Sequence, residues 1–122
     1  MPGFSGNVLV ETPAGLVSFD ELHAVARSGD QVYIKNQTGE HRAELIVDEA
    51  YSGPMIDMGA AHLVAPDQLM RSGLPLEVRP ARRHFADRAV LDFHGAVFDL
   101  HVLSFEPRDH HFILGNGEVA SN

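Results

Sequence analysis

The chain is 122 residues long, carries a formal charge of −8, is 44% apolar and 21% charged, and contains no cysteine. That length suits one domain over 1–122 with a core of its own, and the missing thiols exclude disulfides, thiolate metal sites and cysteine catalysis. The acidic balance argues against a nucleic-acid partner, which needs a basic patch, and no apolar run approaches the ~20 residues that cross a bilayer.

Pro2, Gly3, Ser5 and Asn7 interrupt the N-terminus, so nothing there resembles a secretory signal, and the expected location is cytoplasmic or else unknown. Val8 to Val10 is a short apolar run that stops at the turn signal Thr12-Pro13-Ala14-Gly15, and Leu16 to Phe19 reads as its return strand. Asp20 to Arg27 places acids first and Ser28-Gly29 last, the pattern of a short helix. Gln31 to Lys35 alternates, Asn36-Gln37-Thr38-Gly39 turns the chain, and Ala43 to Val47 is the partner strand. Gly53-Pro54 opens a further strand, Met55 to Met58, and His62 to Val64 follows. Ser72 to Asp87, with Gly73, Pro75 and Pro80, reads as a long loop, and Arg79, Arg82 and Arg83 as a solvated basic cluster within it. Ala89 to Phe93, Val97 to Leu103 and His111 to Leu114 complete the set, with Gly95 turning the first into the second and Gly115-Asn116-Gly117 making a hairpin turn. About nine short strands and one short helix define an all-β fold, a sandwich or partly open barrel.

Function must come from sites. Among the eight histidines, His110 and His111 are adjacent and point to opposite faces of a strand, so they do not share a metal. Without cysteine or an H-E-x-x-H pattern, neither a metal nor another cofactor is expected. There is no G-x-S-x-G, P-loop or G-x-G-x-x-G.

Three stretches, in order, carry a resemblance. The opening "GFSGNVLVETPAGLVSFDEL" is followed by Gly29-Asp30-Gln31-Val32. The middle holds "HLVAPDQLMRSG". The close reads "AVFDLHV" and then "HHFILGNGEVASN". Together they resemble the opening, T-x-x-H and closing motifs of the Hint superfamily, the inteins and Hedgehog-type autoprocessing domains, across the whole chain and at mini-intein length. The resemblance implies a Hint-type horseshoe with adjacent termini. It also implies self-cleaving chemistry: the first residue attacks the preceding carbonyl, the T-x-x-H pair supports the scissile amide, and a terminal Asn cyclises to cut the chain.

Carried over position by position, that implication is largely unmet. The nucleophile falls on Gly3, which has no side chain. The motif Thr falls on Ala65 and its His on Gln68, which cannot shuttle a proton near neutral pH. The penultimate His falls on Ser121, and a Thr common in the opening motif falls on Val8. Asp99, His111 and Asn122 remain. Ser5 is a hydroxyl two residues past the attacking position.

The resemblance thus implies a catalytically degenerate or mutated intein-like domain, unable to make the N-terminal acyl shift and limited to Asn cyclisation at Asn122. Natural degeneration is favoured over engineered trapping, because Val8, Gln68 and Ser121 exceed what trapping requires. Flanking extein segments are the partners if it is active. Met1 directly before Pro2-Gly3 also fits a free-standing protein. The alternatives are an inert Hint-fold scaffold or interaction module within a larger assembly, such as a viral particle, and an unrelated small β-barrel binding domain.

Overall fold

The computed structural model describes residues 2–73 and 76–122; Met1, Leu74 and Pro75, the last two within the expected 72–87 loop, lie outside the described residues. Strands dominate. Eleven occur among the described residues: β1 Phe4–Ser5, β2 Leu9–Thr12, β3 Gly15–Ser18, β4 Val32–Asn36, β5 Gly39–Asp57, β6 Leu63–Val64, β7 Leu69–Ser72, β8 Glu77–Pro80, β9 Val90–Val102, β10 His111–Ile113 and β11 Val119–Ser121. Two α-helices, α1 Phe19–Arg27 and α2 Ala81–His84, and a 3-10 turn at Pro107–Asp109 accompany them.

Local chemistry sets the first hairpin. The Thr12 hydroxyl donates to the Gly15 carbonyl at 2.7 Å and accepts from the Ala14 amide at 3.1 Å, closing the turn between β2 and β3. Gly15 takes φ +102°, a conformation open to glycine without strain. Phe19 leaves the expected strand and opens α1 instead, because Ser18 caps it by accepting from the Glu21 amide at 3.1 Å. Glu21 three residues past Ser18 is the capping-box spacing, and such a cap contributes about 1 kcal/mol.

The long pair β5 and β9 departs from the sequence reading. Gly53-Pro54 does not start a new strand, and Gly95 does not turn a hairpin. Both lie inside one continuous antiparallel ladder that runs from Ala43↔Val102 to Ile56↔Val90. Gly95 sits opposite Tyr51, just past the register shift between Asp48 and Tyr51, and its φ of +152° relieves the backbone there. A glycine inside a strand can mark such an irregularity as well as a turn. The expected 72–87 loop contains β8 and α2. Arg79 therefore lies on a strand and Arg82 and Arg83 on a helix, not in a loop.

The five-stranded sheet runs β4-β5-β6-β1-β9, with β5 also pairing β9, and the closing strands form a second sheet, β10-β11-β7-β8. Four phenylalanines join the parts. Phe4 stacks on Phe19 at 5.6 Å and meets Phe112 edge-on at 5.9 Å, while Phe19 stacks on Phe98 at 6.0 Å. β1, α1, β9 and β10 thus share one aromatic centre, all four rings being essentially fully buried.

Candidate functional site

Both ends of the described chain arrive at one segment, Ala65-Pro66-Asp67-Gln68. β1 lies between β6 and β9, pairing Phe4 with Val64 on one side and with Phe98 on the other. That pairing brings the Gly3 carbonyl to the Ala65 amide at 2.8 Å. At the other end of the segment, the Gln68 side-chain amide donates to the Ser121 carbonyl at 3.2 Å. The segment itself is held by α2: Ala81 N–H donates to the Gln68 carbonyl at 2.7 Å and Arg82 N–H to the Pro66 carbonyl at 3.0 Å.

Gly3 is buried and has φ +148°. A β-carbon added there would stand 2.9 Å from the Phe98 carbonyl oxygen. Both features suit glycine and oppose any side chain. Ala65 is fully buried beside Met55, Leu63 and Val97, so a methyl fills the place where the resemblance puts a hydroxyl. Val8 is likewise part of the main core. The Ser5 hydroxyl is occupied: it donates to Asn7 Oδ1 at 2.6 Å and accepts from the Leu63 amide at 2.9 Å.

Asp99 lies on β9 and is 8% exposed. Its Oδ1 accepts from the Leu100 amide at 2.8 Å. Burial pushes its carboxyl up to about 6, the Leu100 hydrogen bond opposes that shift, and the Asp67 charge adds to it. Asp67 also helps raise the Tyr51 phenol, after burial.

His111 opens β10 and pairs with Ser121 across the ladder. It is buried, and neither ring nitrogen reaches a partner of ordinary hydrogen-bond geometry among the described residues. Burial first and the Arg71 guanidinium second hold it below the usual imidazole range; the Arg108 backbone and Asp109 oppose this, and His41 adds to it. These surroundings favour the neutral ring. Asn36 fixes the local backbone by donating from Nδ2 to the Asp109 and His111 carbonyls, both at 2.9 Å. Asn122 is exposed, with its amide donating to the His110 carbonyl at 3.2 Å.

The site residues thus fall into three contacts: Gly3 with Ala65, Gln68 with Ser121, and His111 with Ser121. Asp99 approaches from the Asp67 side of the segment. Sequence reasoning missed Arg71. Its Nη2 donates to the His110 carbonyl at 3.1 Å and its Nε to Ser121 Oγ at 3.4 Å. The strand pairing of β7 with β11 creates that contact, and no spacing rule announces it.

This arrangement of paired long strands and converging ends has parallels among solved structures. The crystal structure of VidaL intein (selenomethionine variant) superposes with a TM-score of 0.63 at 15% identity, covering 99% of this chain and 97% of that one. The fold is the intein-like Hint fold. The solution structure of a bacterial intein-like domain from Clostridium thermocellum agrees, with a TM-score of 0.64, 18% identity, and 100% and 99% coverage. A DnaB intein from Synechocystis sp. PCC 6803 gives 0.54 at 14% identity over 99% and 98%. No protein-family model matches the sequence. No curated protein matches it either. At 14–18% identity the likeness to these structures is one of backbone fold.

Proposed function

We propose that this chain is a Hint domain related to protein splicing that has lost the N-terminal acyl shift and is limited to cleavage after Asn122. The conformation of Gly3 carries this reading. The acyl shift needs a hydroxyl or thiol on the residue after the scissile bond. Position 3 combines φ +148° with a carbonyl 2.9 Å from any β-carbon, so it is built for glycine. Ala65 and Gln68 remove the groups that would support the first scissile amide.

Asn cyclisation is chemically separate from that first step. Asn122 Nδ2 attacks the carbonyl carbon of its own residue, and a C–N bond forms. The peptide bond to the following residue breaks, and the Nδ2 proton passes to the leaving amine. A neutral His111 across the ladder from Ser121 can relay that proton. The partners of such a reaction are flanking segments.

The test appends a short peptide after Asn122 and follows it by mass spectrometry near neutral pH. The reading expects release of the peptide and a domain fragment one water lighter than a hydrolysis product, as a succinimide requires. No release over days leaves the second reading, an inert scaffold or interaction module. Phe105, fully exposed beside the partly exposed Leu103, is the observation that favours it.

A further inference from the structure

The closing hairpin is gripped by two side chains, Gln68 just before β7 and Arg71 within it. Gln68 is 1% exposed. Its Nε2 donates to the Leu69 and Ser121 carbonyls, each at 3.2 Å. The reverse amide orientation would turn Oε1 toward two carbonyl oxygens, so these contacts fix which atom is which. Its Oε1 has no partner among the described residues. A buried unmatched acceptor is destabilising, and a residue kept for packing alone would shed that cost by becoming Leu or Met.

Arg71 meets the same hairpin three residues later. Its fork spans the hairpin's open end, from the His110 carbonyl just before β10 to the Ser121 hydroxyl at the end of β11. The His110 carbonyl receives a second donor, the Asn122 amide. Arg71 and the Asn122 backbone therefore converge on one oxygen. Ser121 is held at its carbonyl by Gln68, at its hydroxyl by Arg71 and along its backbone by His111.

We infer that Gln68 and Arg71 are positioning residues for Asn122, forming a clamp on Ser121 that fixes the peptide unit on which cyclisation depends. The inference rests on the proposed C-terminal cleavage. In it, Gln68 is moved from the N-terminal half of the chemistry, where the T-x-x-H resemblance puts it, to the C-terminal half. A planar guanidinium suits the task because it presents several donors in a rigid fork, whereas an ammonium is a single point.

Arg71 has a second consequence. The charged and titratable groups acting on His111 are Arg71 on β7, His41 on β5 and Asp109 in the 3-10 turn, beside the backbone of Arg108. Deleting the Arg71 charge removes one of the influences that lower His111, so the His111 titration moves up in pH.

The experiment uses the full chain with a peptide appended after Asn122, together with Gln68→Met, Arg71→Met and Arg71→Lys. Release rate, the His111 imidazole titration by NMR and hydrogen exchange of the Asn122 amide are measured on each. The clamp predicts that Gln68→Met and Arg71→Met slow release by tenfold or more and speed Asn122 exchange. It predicts an upward His111 titration in Arg71→Met alone. Arg71→Lys keeps the charge and loses the fork, so it slows release while leaving the His111 titration in place. If the parent chain releases its peptide and the folded variants do so at the same rate, the clamp is wrong and the cleavage reading stands. If the parent chain releases nothing, the cleavage reading falls. The clamp is then judged on Asn122 amide exchange, and unchanged exchange in Gln68→Met overturns it even where Arg71→Met fails to fold.

Discussion

The carbonyl of Gly3 accepts from the amide of Ala65 at 2.8 Å, which ties the first described strand to the segment that also reaches Ser121. Head and tail of the chain thus address one short stretch from its two ends. Here the head brings a backbone suited to glycine, and the tail brings Asn122 with a set of supporting groups.

Position 3 is expected to resist repair. Gly3→Cys introduces a side chain at φ +148° and 2.9 Å from the Phe98 oxygen. Backbone strain of this kind costs about 1–3 kcal/mol. Denaturant unfolding of Gly3→Cys should show a loss in that range. With a peptide placed before residue 3, the variant should form no thioester cleavable by hydroxylamine, even combined with Ala65→Thr and Gln68→His.

Asp99 gives a pH dependence of defined sign. Its folded value of about 6 lies above the unfolded value near 3.8. Its contribution is therefore fully present below pH ~4 and is lost as the pH rises through about 6. The displacement corresponds to at most about 3 kcal/mol at neutral pH. Asp99→Asn keeps an oxygen for the Leu100 amide and removes the buried charge. Its unfolding free energy at pH 7.5 should exceed the parent's by about 1–2 kcal/mol, and the difference should shrink toward pH 4.

His111 gives the opposite trend. Its folded value is depressed, so its contribution is present above about pH 6.5 and is lost as the pH falls below that toward the lowered value. His111→Met removes the ring that must charge while buried. Acid unfolding between pH 6.5 and 4.5 should be less steep in His111→Met than in the parent. A steeper curve would mean that His111 is not held neutral by its surroundings.

The short-range features of this fold were readable in the sequence because their causes are local. Thr12 to Gly15, Asn36 to Gly39 and Gly115 to Gly117 each carry their own turn chemistry, and the elements beside them lie close to where the residues put them. The β5–β9 ladder was not readable, since Gly53-Pro54 and Gly95 look like breaks until a long antiparallel partner supplies the hydrogen bonds across them. The site divides the same way. Gly3, Ala65, Gln68, Asp99, His111, Ser121 and Asn122 were singled out from motif order, whereas Arg71 needed the β7–β11 pairing and the Asp67–Asp99 repulsion needed burial.

Phe19 should be the most sensitive core position. Its ring contacts those of Phe4, Phe98 and Phe112 and links α1 to strands of both larger sheets. Phe19→Ala should cost about 3–5 kcal/mol in urea unfolding. A loss below ~1 kcal/mol would show that the four rings do not form one packed unit.

The most direct measurement of the central claim is intact-mass analysis of the chain flanked by a peptide on each side, sampled over days near neutral pH. Loss of the trailing peptide alone, with the leading peptide still attached and the new end present as a succinimide, is the predicted result. Release of the leading peptide, or ligation of the two flanks to each other, would contradict the account.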